Sequence, residues 1–275
     1  MKDLIAALQI FAKYHNLPCP THCTHDELHF VGFAKDEVSR EDALELLDEG
    51  QRVLLDISSD KTSRSFVGMN QAVHKTIEEL EAIHGKGGGV TGVPSGFTDL
   101  DALTAGFQNS NLIIIGGRPS QGKTSLVLSC ARNAAVLHQK SIGFFSLEMS
   151  TSELMLRLIS AEARVNSHSL RRGRLPAEDW KRLSASTSRL HDAKIFIDDT
   201  PGLTALQVRA KARLLKMEHK IDMIIVDYLQ LMRGPANAQS REQEISYISR
   251  SLKSLAKELN VPVIANRWHL FSALL

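Results

Sequence analysis

Residues 117–124 have the types and the spacing that bind the phosphates of a nucleotide. The run consists of Gly117, Arg118, Pro119, Ser120, Gln121, Gly122, Lys123 and Thr124, and it fits the pattern G-x-x-x-x-G-K-[ST] at every fixed position. Glycines in such a loop let backbone N–H groups turn towards a polyphosphate. In this pattern the lysine neutralises the β- and γ-phosphates and the threonine hydroxyl binds Mg²⁺. The sequence therefore predicts a site for a nucleoside triphosphate and Mg²⁺.

The segments on either side of this run fit the same interpretation. Residues 112–115 are apolar and predict a buried strand, and Ser125 opens a helix that continues to about His138. The N-terminus of that helix places the positive end of its dipole where the anion binds. The alternative is an ordinary glycine-rich turn between a strand and a helix. The order of strand, loop, Lys-Thr pair and helix favours the phosphate loop.

Two acidic residues follow predicted strands and are candidates for the chemistry of the phosphates. Asp227 ends the apolar run 223–226, where a carboxylate can hold Mg²⁺ directly or through water. Glu148 follows the run 144–147, where a carboxylate beside the γ-phosphate can activate a water molecule. The alternative for each is a solvated acidic residue after a strand. Their position at the ligand-binding edge of a parallel sheet favours the functional interpretation.

Composition limits the class of protein. The chain has 275 residues, of which 43% are hydrophobic and 23% charged, with a net charge of +2. These values are typical of a globular protein and neither require nor exclude nucleic acid. Three cysteines, Cys19, Cys23 and Cys130, indicate no disulfide framework. No apolar run approaches the roughly 18 residues that span a bilayer. We expect a soluble cytoplasmic protein without a membrane partner.

We predict three parts along the chain: an N-terminal segment of unknown role at 1–48, a linker at 49–89 and an ATPase domain at 90–275. The first part contains a cluster of possible zinc ligands, namely His15, Cys19, His22, Cys23, His25 and His29. Their spacing matches none of the usual zinc pairings, so we favour a loop with surface histidines. In the linker, Met69, Val73, Ile77, Leu80 and Ile83 form one apolar stripe of a helix. That stripe packs either on its own domain or on a neighbouring subunit.

Strands and helices alternate after the phosphate loop. We predict strands at 141–146, 194–197, 223–226 and 261–264, and helices at 151–165, 177–191, 204–217 and 242–259. Such alternation predicts an α/β fold with a mostly parallel sheet, helices on both faces and the ligand at the carboxyl ends of the strands.

Several long runs resemble the replicative DNA helicases of the DnaB family. The runs are 90–101 (VTGVPSGFTDLD), 116–120 (GGRPS), 145–150 (FSLEMS), 225–232 (IVDYLQLM), 241–246 (REQEIS) and 249–253 (SRSLK). The resemblance extends over roughly residues 50–265. It implies a RecA-like core in which Lys123, Thr124, Asp227 and Glu148 keep the roles given above. It also implies a hexameric ring that translocates on single-stranded DNA, with primase or a helicase loader as further partners.

The resemblance also bears on two segments outside the nucleotide site. The helix from Met69 to Ile83 would be the linker helix of the family, which docks on the adjacent subunit. Arg241 follows a segment that faces the central channel in the family, so it is a candidate for DNA binding, which is chiefly electrostatic. The alternative is that Arg241 pairs with a carboxylate such as that of Glu244, and we favour this alternative.

The chain departs from the family at both ends. Residues 1–45 do not resemble the helical N-terminal domain of the family, and the match stops after Ala265. There the family has a polar sensor, usually Ser-Gln, whereas this chain reads Asn266, Arg267, Trp268. The basic finger that reaches the ATP site of a neighbour lies beyond this point, so we expect weak ATPase activity. We also expect one flank of the sheet to be uncovered.

These features leave two main hypotheses of different classes. The first is an ATP-driven DNA helicase, and the second is an ATP-binding module that associates with helicase rings. A RecA-type or KaiC-like ATPase is a third. The runs at 145–150 and 227–232 favour the helicase family over a recombinase or a KaiC-like protein.

Overall fold

The computed structural model describes residues 68–85, 89–234 and 240–268. The chain divides into two units, 1–67 and 68–275, and all described residues belong to the second. The histidine and cysteine cluster, the linker up to residue 67 and the boundaries of the first predicted part lie outside the described residues. Within the described part, no helix has the length and apolar character needed to cross a bilayer.

The described elements alternate as the sequence predicts. In chain order they are α1 (Met69–Gly85), α2 (Thr98–Thr104), β1 (Leu112–Gly117), α3 (Lys123–Arg132), β2 (Ile142–Ser146), α4 (Thr151–Ala163), α5 (Ser167–Arg171), α6 (Ala177–His191), β3 (Ile195–Asp198), α7 (Ala205–His219), β4 (Met223–Asp227), α8 (Arg241–Leu259) and β5 (Val263–Trp268). A π-helical turn, Asn133–Leu137, prolongs α3, and a 3₁₀ turn, Leu229–Leu231, follows β4.

The five strands form one parallel sheet in the order β1-β5-β4-β2-β3. β4 and β2 are buried along their whole length because helices cover both faces of the sheet. Val127, Leu154 and Leu158 of α3 and α4 belong to the core on one face. Val208 and Leu252 of α7 and α8 belong to the core on the other. The predicted α/β fold with helices on both faces is confirmed.

β1 is an edge strand of the described sheet. Its sequence is as apolar as that of β4, but its residues are only partly buried, and Ile114 is 43% exposed. Its one described neighbour is β5. The expectation that one flank of the sheet is uncovered stays a prediction, and an exposed apolar edge would favour aggregation.

The boundaries of some elements differ from the prediction. The last strand begins at Val263 rather than Val261, because Pro262 has no N–H group to donate, and it continues to Trp268. The helix predicted to reach Val165 ends at Ala163, where Arg164 takes the left-handed conformation. The short helices α2 and α5 were not predicted, since seven and five residues are too few to show a helical period.

An ion cluster joins α7 to α8 on one face of the sheet. Arg209 Nε donates to Glu258 Oε2 at 2.8 Å, and Arg213 Nε donates to Glu258 Oε1. The Arg213 side chain is only 1% exposed. Burial raises the pKa of Glu258, but hydrogen bonds from Arg213 and Arg209 outweigh this effect and hold its pKa below the ordinary 4.5.

We expect Glu258→Gln to destabilise the protein by about 2 kcal/mol at pH 7, because it removes the carboxylate charge from the ion pair that Glu258 forms with the buried Arg213. The pKa of Glu258 is lowered in the folded state, so its contribution is complete above pH 4.5 and is lost as the pH falls below this value. Urea unfolding at pH 7 and pH 3.5 should therefore show a smaller difference from wild type at the lower pH. Glu218→Gln, on the exposed end of α7, is the matched control. If Glu258→Gln lowers the free energy of unfolding equally at both pH values, the ionised Glu258 carboxylate does not stabilise the fold through this ion cluster.

Candidate active site

The phosphate loop lies between the carboxyl end of β1 and the first turn of α3. Two of its residues have positive φ, Ser120 at 63° and Gly122 at 81°. A side chain at Gly122 would meet no atom within 4 Å, so this glycine is required by its backbone conformation rather than by space. Leu126 N donates to Gly122 O at 2.9 Å, which is the first hydrogen bond of the helix.

The first turn of α3 has the properties of an anion site. No acidic residue lies in this turn. Gly122 is the N-cap residue and has no side chain, so it leaves the N–H groups of the first turn of α3 available to an anion. The Lys123 ammonium group donates to the Arg118 carbonyl at 2.9 Å, so the lysine is held over the loop. Arg118 to Gly122 and Ser125 are exposed, and Lys123 and Thr124 are half-buried. Residues 117–124 therefore lie between a strand and the N-terminus of a helix, and phosphate binding by them stays a prediction.

Asp227 ends β4 with a carboxylate that is almost completely buried, at 1% exposure. Its Oδ1 accepts a hydrogen bond from Asn266 Nδ2 at 2.7 Å. Its Oδ2 has no hydrogen-bond partner among the described residues. A buried carboxylate oxygen without a partner costs free energy unless a cation or water satisfies it. The arrangement therefore fits a Mg²⁺ ligand.

Glu148 lies in the turn between β2 and α4. In the sheet, Ser146 of β2 is paired with Asp227 of β4. The next residue, Leu147, donates its N–H to Asp227 O at 2.8 Å, so Glu148 lies one residue beyond a hydrogen bond to the end of β4. The buried Ser146 hydroxyl donates to Met149 O at 2.6 Å and shapes this turn. Glu148 itself is exposed, and it has no hydrogen bond or ion pair with another described residue.

Tyr228 lies beside both carboxylates. Its pKa is raised above 10 by burial first, and then by the negative charges of Glu148 and Asp227. The pairing of Ser146 with Asp227 and the hydrogen bond from Leu147 N to Asp227 O likewise place Glu148 and Asp227 in one region at the carboxyl edge of the sheet. The sheet order places β5 between β1 and β4, so the phosphate loop and Asp227 are two strand spacings apart, about 10 Å.

Arg241 begins α8, on the far side of the undescribed residues 235–239. Its guanidinium forms an ion pair with Glu244 and donates a second hydrogen bond to the Gln230 carbonyl. The pairing with Glu244 that we favoured from the sequence is therefore present. The side chain is nevertheless 48% exposed, so DNA binding by Arg241 stays a prediction.

Asn266 is a further candidate site residue, which the local sequence pattern does not identify. It is completely buried, and it lies on β5 level with Asp227 of β4 and paired with Ile115 of β1. The signal that could have found it is a polar residue at the end of the apolar run 261–265. Its partner could not be deduced, because the order of the strands was not known.

A cavity between α3, α4 and α5 is lined in part by Ser125, the residue that follows the phosphate loop. It has a volume of about 740 Å³. Arg132, Arg157 and Arg171 contribute to its lining, whereas Lys123, Asp227 and Glu148 do not. The phosphate loop is instead an open feature on the edge of the sheet.

Known proteins resemble this chain over most of its length. The replicative DNA helicase DnaB of Geobacillus stearothermophilus is 45% identical over 237 residues, which are 86% of this chain and 52% of that protein. The replicative DNA helicase DnaB of Rhodothermus marinus is 52% identical over 246 residues, 86% of this chain and 25% of that protein. The chain thus spans about half the length, or less, of these relatives.

Solved structures resemble it as well. A solved ATPase domain superposes with a TM-score of 0.68 at 34% identity, over 74% of this chain and 72% of that one. A DnaB-like replicative helicase, whose structure was described together with its interactions with primase, has a TM-score of 0.65 at 31% identity. That likeness covers 82% of this chain and 56% of the other.

The family model extends over the whole described site. Residues 92–267 match the model of the DnaB-like helicase C-terminal domain. The matched range contains residues 117–124, Glu148, Asp227, strands β1 to β4 and all of β5 except Trp268. The α/β fold with its parallel sheet, the phosphate loop and the family match agree, and the chain belongs to the family of the DnaB-like helicase C-terminal domain.

Proposed function

We propose that this chain binds ATP with Mg²⁺ and hydrolyses it, and that hydrolysis is coupled to translocation on single-stranded DNA and to unwinding of the duplex in replication. The observation that carries the proposal is the buried Asp227 carboxylate, with one unpartnered oxygen, at the same sheet edge as the phosphate loop. The names of the relatives, replicative DNA helicases, support the same activity.

In this proposal each site residue has a defined task. The N–H groups of the phosphate loop and the Lys123 ammonium would hold the β- and γ-phosphates, while the Thr124 hydroxyl and Asp227 would hold Mg²⁺. The bound ion would neutralise charge on the phosphate oxygens. Glu148 accepts a proton from a water molecule while the oxygen of that water forms a bond to the γ-phosphorus. The bond from that phosphorus to the bridging oxygen breaks, and ADP and phosphate leave.

We infer that Arg241 contributes to the surface that binds single-stranded DNA. Its exposed ion pair with Glu244 has a spacing of i, i+3, and such pairs contribute little to stability, so a DNA phosphate can compete for the guanidinium. It also lies at the start of α8, next to the segment 235–239.

We expect Arg241→Ala to weaken binding of oligo-dT in the presence of ATP and Mg²⁺. Loss of one phosphate contact should reduce the slope of log affinity against log salt by about 0.7, the value for single strands. Fluorescence anisotropy over a series of salt concentrations measures this slope. Arg250→Ala, which removes the same charge further along α8, is the matched control. An unchanged slope for Arg241→Ala would contradict a phosphate contact.

We also propose that the protein forms a homo-oligomer, a hexameric ring, through α1. The stripe formed by Met69, Val73, Ile77 and Leu80 is 46–78% exposed, so its own unit leaves it uncovered. A helix with an exposed apolar stripe gains free energy by packing on another surface. A neighbouring subunit supplies such a surface.

We expect Ile77→Asp to raise the protein concentration at which the oligomer forms by at least about tenfold, because burying one isoleucine contributes about 1.5–3 kcal/mol. Sedimentation velocity in the presence of ATP and Mg²⁺ measures the assembly. Gln71→Asp adds the same charge on the opposite face of α1 and should leave assembly unchanged. If both variants assemble like wild type, the stripe does not mediate the contact.

A second candidate function is an ATP-binding module that joins helicase rings without rapid turnover. The partial burial of β1, the strand that precedes residues 117–124 and has one neighbouring strand in the described sheet, favours it. Primase or a helicase loader would be partners of the assembled ring, in a cytoplasmic setting. Turnover measurements distinguish this candidate from the helicase.

A further inference from the structure

Asn266 lies between the two strands that carry the nucleotide site. Register pairs Asn266 with Ile115 of β1, two residues before Gly117, and pairs the preceding Ala265 with Val226 of β4. Asn266 is therefore level with Asp227, on the strand that separates the phosphate loop from the carboxylate. Its side chain is fully buried.

The hydrogen bond between the two side chains has one possible polarity. The Asn266 amide must present Nδ2 to Asp227 Oδ1, at 2.7 Å, because its oxygen would be repelled by a carboxylate. A hydrogen bond to a buried, ionised acceptor is stronger than one between neutral groups. It therefore fixes the rotation of the Asp227 carboxylate about its side-chain bonds.

This hydrogen bond leaves two buried oxygens without partners among the described residues, Asp227 Oδ2 and Asn266 Oδ1. Both atoms are acceptors only, so they cannot satisfy one another. A hard cation with its water ligands satisfies carboxylate and amide oxygens alike. Buried acceptors without a partner are rare in proteins, so two of them side by side indicate a place for a ligand or ordered water.

We propose that Asn266 is a positioning residue for the cation site. Its Nδ2 holds Asp227 Oδ1 and so keeps Asp227 Oδ2 available to Mg²⁺, while its own Oδ1 can accept a hydrogen bond from a water molecule bound to the ion. The proposal rests on the proposed function, since it requires that ATP binds with Mg²⁺. Asn266 acts through Asp227, and its loss affects the part of nucleotide affinity that depends on the ion.

The test is equilibrium binding of a fluorescent ATP analogue, with Mg²⁺ or with EDTA, to wild type and to Asn266→Leu. Leucine has a similar volume but no hydrogen-bonding group. We expect the gain in affinity that Mg²⁺ provides to fall about tenfold, as for other groups that orient a metal ligand. Binding in EDTA, which depends on the phosphate loop, should stay unchanged. Asn266→Ala, which adds no bulk, should behave alike and serves as the second variant.

A double variant of Asp227 and Asn266 tests whether Asn266 acts by positioning Asp227 or only by stabilising the fold. In Asp227→Asn the gain from Mg²⁺ is already lost, so adding Asn266→Leu should reduce it no further. An unchanged gain in the folded Asn266 variants would overturn the proposal, and so would equal losses with Mg²⁺ and with EDTA. If wild type binds no nucleotide in either buffer, the proposed function fails and this inference fails with it. If wild type shows the gain and the Asn266 variants keep it, only this inference fails.

Discussion

Lys123→Ala should reduce the affinity for ATP by about a hundredfold or more, and hydrolysis should fall with it. The lysine is the one side-chain cation of the predicted phosphate loop pattern that reaches the β- and γ-phosphates. Removing one preorganised group that stabilises charge in a transition state typically costs roughly two to three orders of magnitude in kcat. Titration with a fluorescent ATP analogue measures the affinity, and release of phosphate measures the turnover.

Lys181→Ala, on the exposed surface of α6, is the control for loss of a positive charge. It should bind ATP like wild type. Thermal unfolding of both variants verifies that each is folded. If folded Lys123→Ala binds ATP as tightly as wild type, residues 117–124 are not the phosphate site, and the assignment of the loop is wrong.

Glu148→Gln should reduce the rate of ATP hydrolysis by about 10²–10⁴-fold, the usual contribution of a general base. The amide keeps the size of the side chain but cannot accept the proton of the attacking water. Affinity for ATP should change by no more than about twofold, because Glu148 is exposed and contacts neither the loop nor Asp227 by a hydrogen bond. Single-turnover hydrolysis, measured beside equilibrium binding, tests both parts of this expectation.

Glu153→Gln provides the matched control, since Glu153 lies five residues further along in the first turn of α4 and is also exposed. It should leave hydrolysis nearly unchanged. Equal effects of the two substitutions would indicate a general effect of charge near α4. Unchanged hydrolysis in Glu148→Gln would exclude Glu148 as the base, and the water would need another acceptor.

The sequence predicts most of the fold because the strands here are continuous apolar runs and the helices have clear periods. β4 is a run of five residues buried on both faces, and α6 begins and ends at the predicted residues, 177 and 191. The order of the strands is different in kind. The strand order depends on the path that each crossover connection takes over the sheet, and the local sequence pattern carries no information about that path.

The same distinction applies to the site. Lys123, Thr124, Asp227 and Glu148 could be chosen from motif and position alone, because each follows a strand at the edge where parallel sheets bind ligands. Asn266 could not, since its contact with Asp227 arises only from the neighbouring places of β5 and β4. The exposure of the α1 stripe also required the structure, because a pattern of apolar residues does not identify the surface that covers it.

The central claim is that this site hydrolyses ATP in response to single-stranded DNA. The most direct test is the rate of phosphate release by the wild-type chain with Mg²⁺, measured with and without oligo-dT, beside Lys123→Ala and Glu148→Gln. The account predicts a rate that DNA increases and that both substitutions abolish. Binding of ATP without DNA-dependent turnover, lost only in Lys123→Ala, would contradict it and would leave an ATP-binding module.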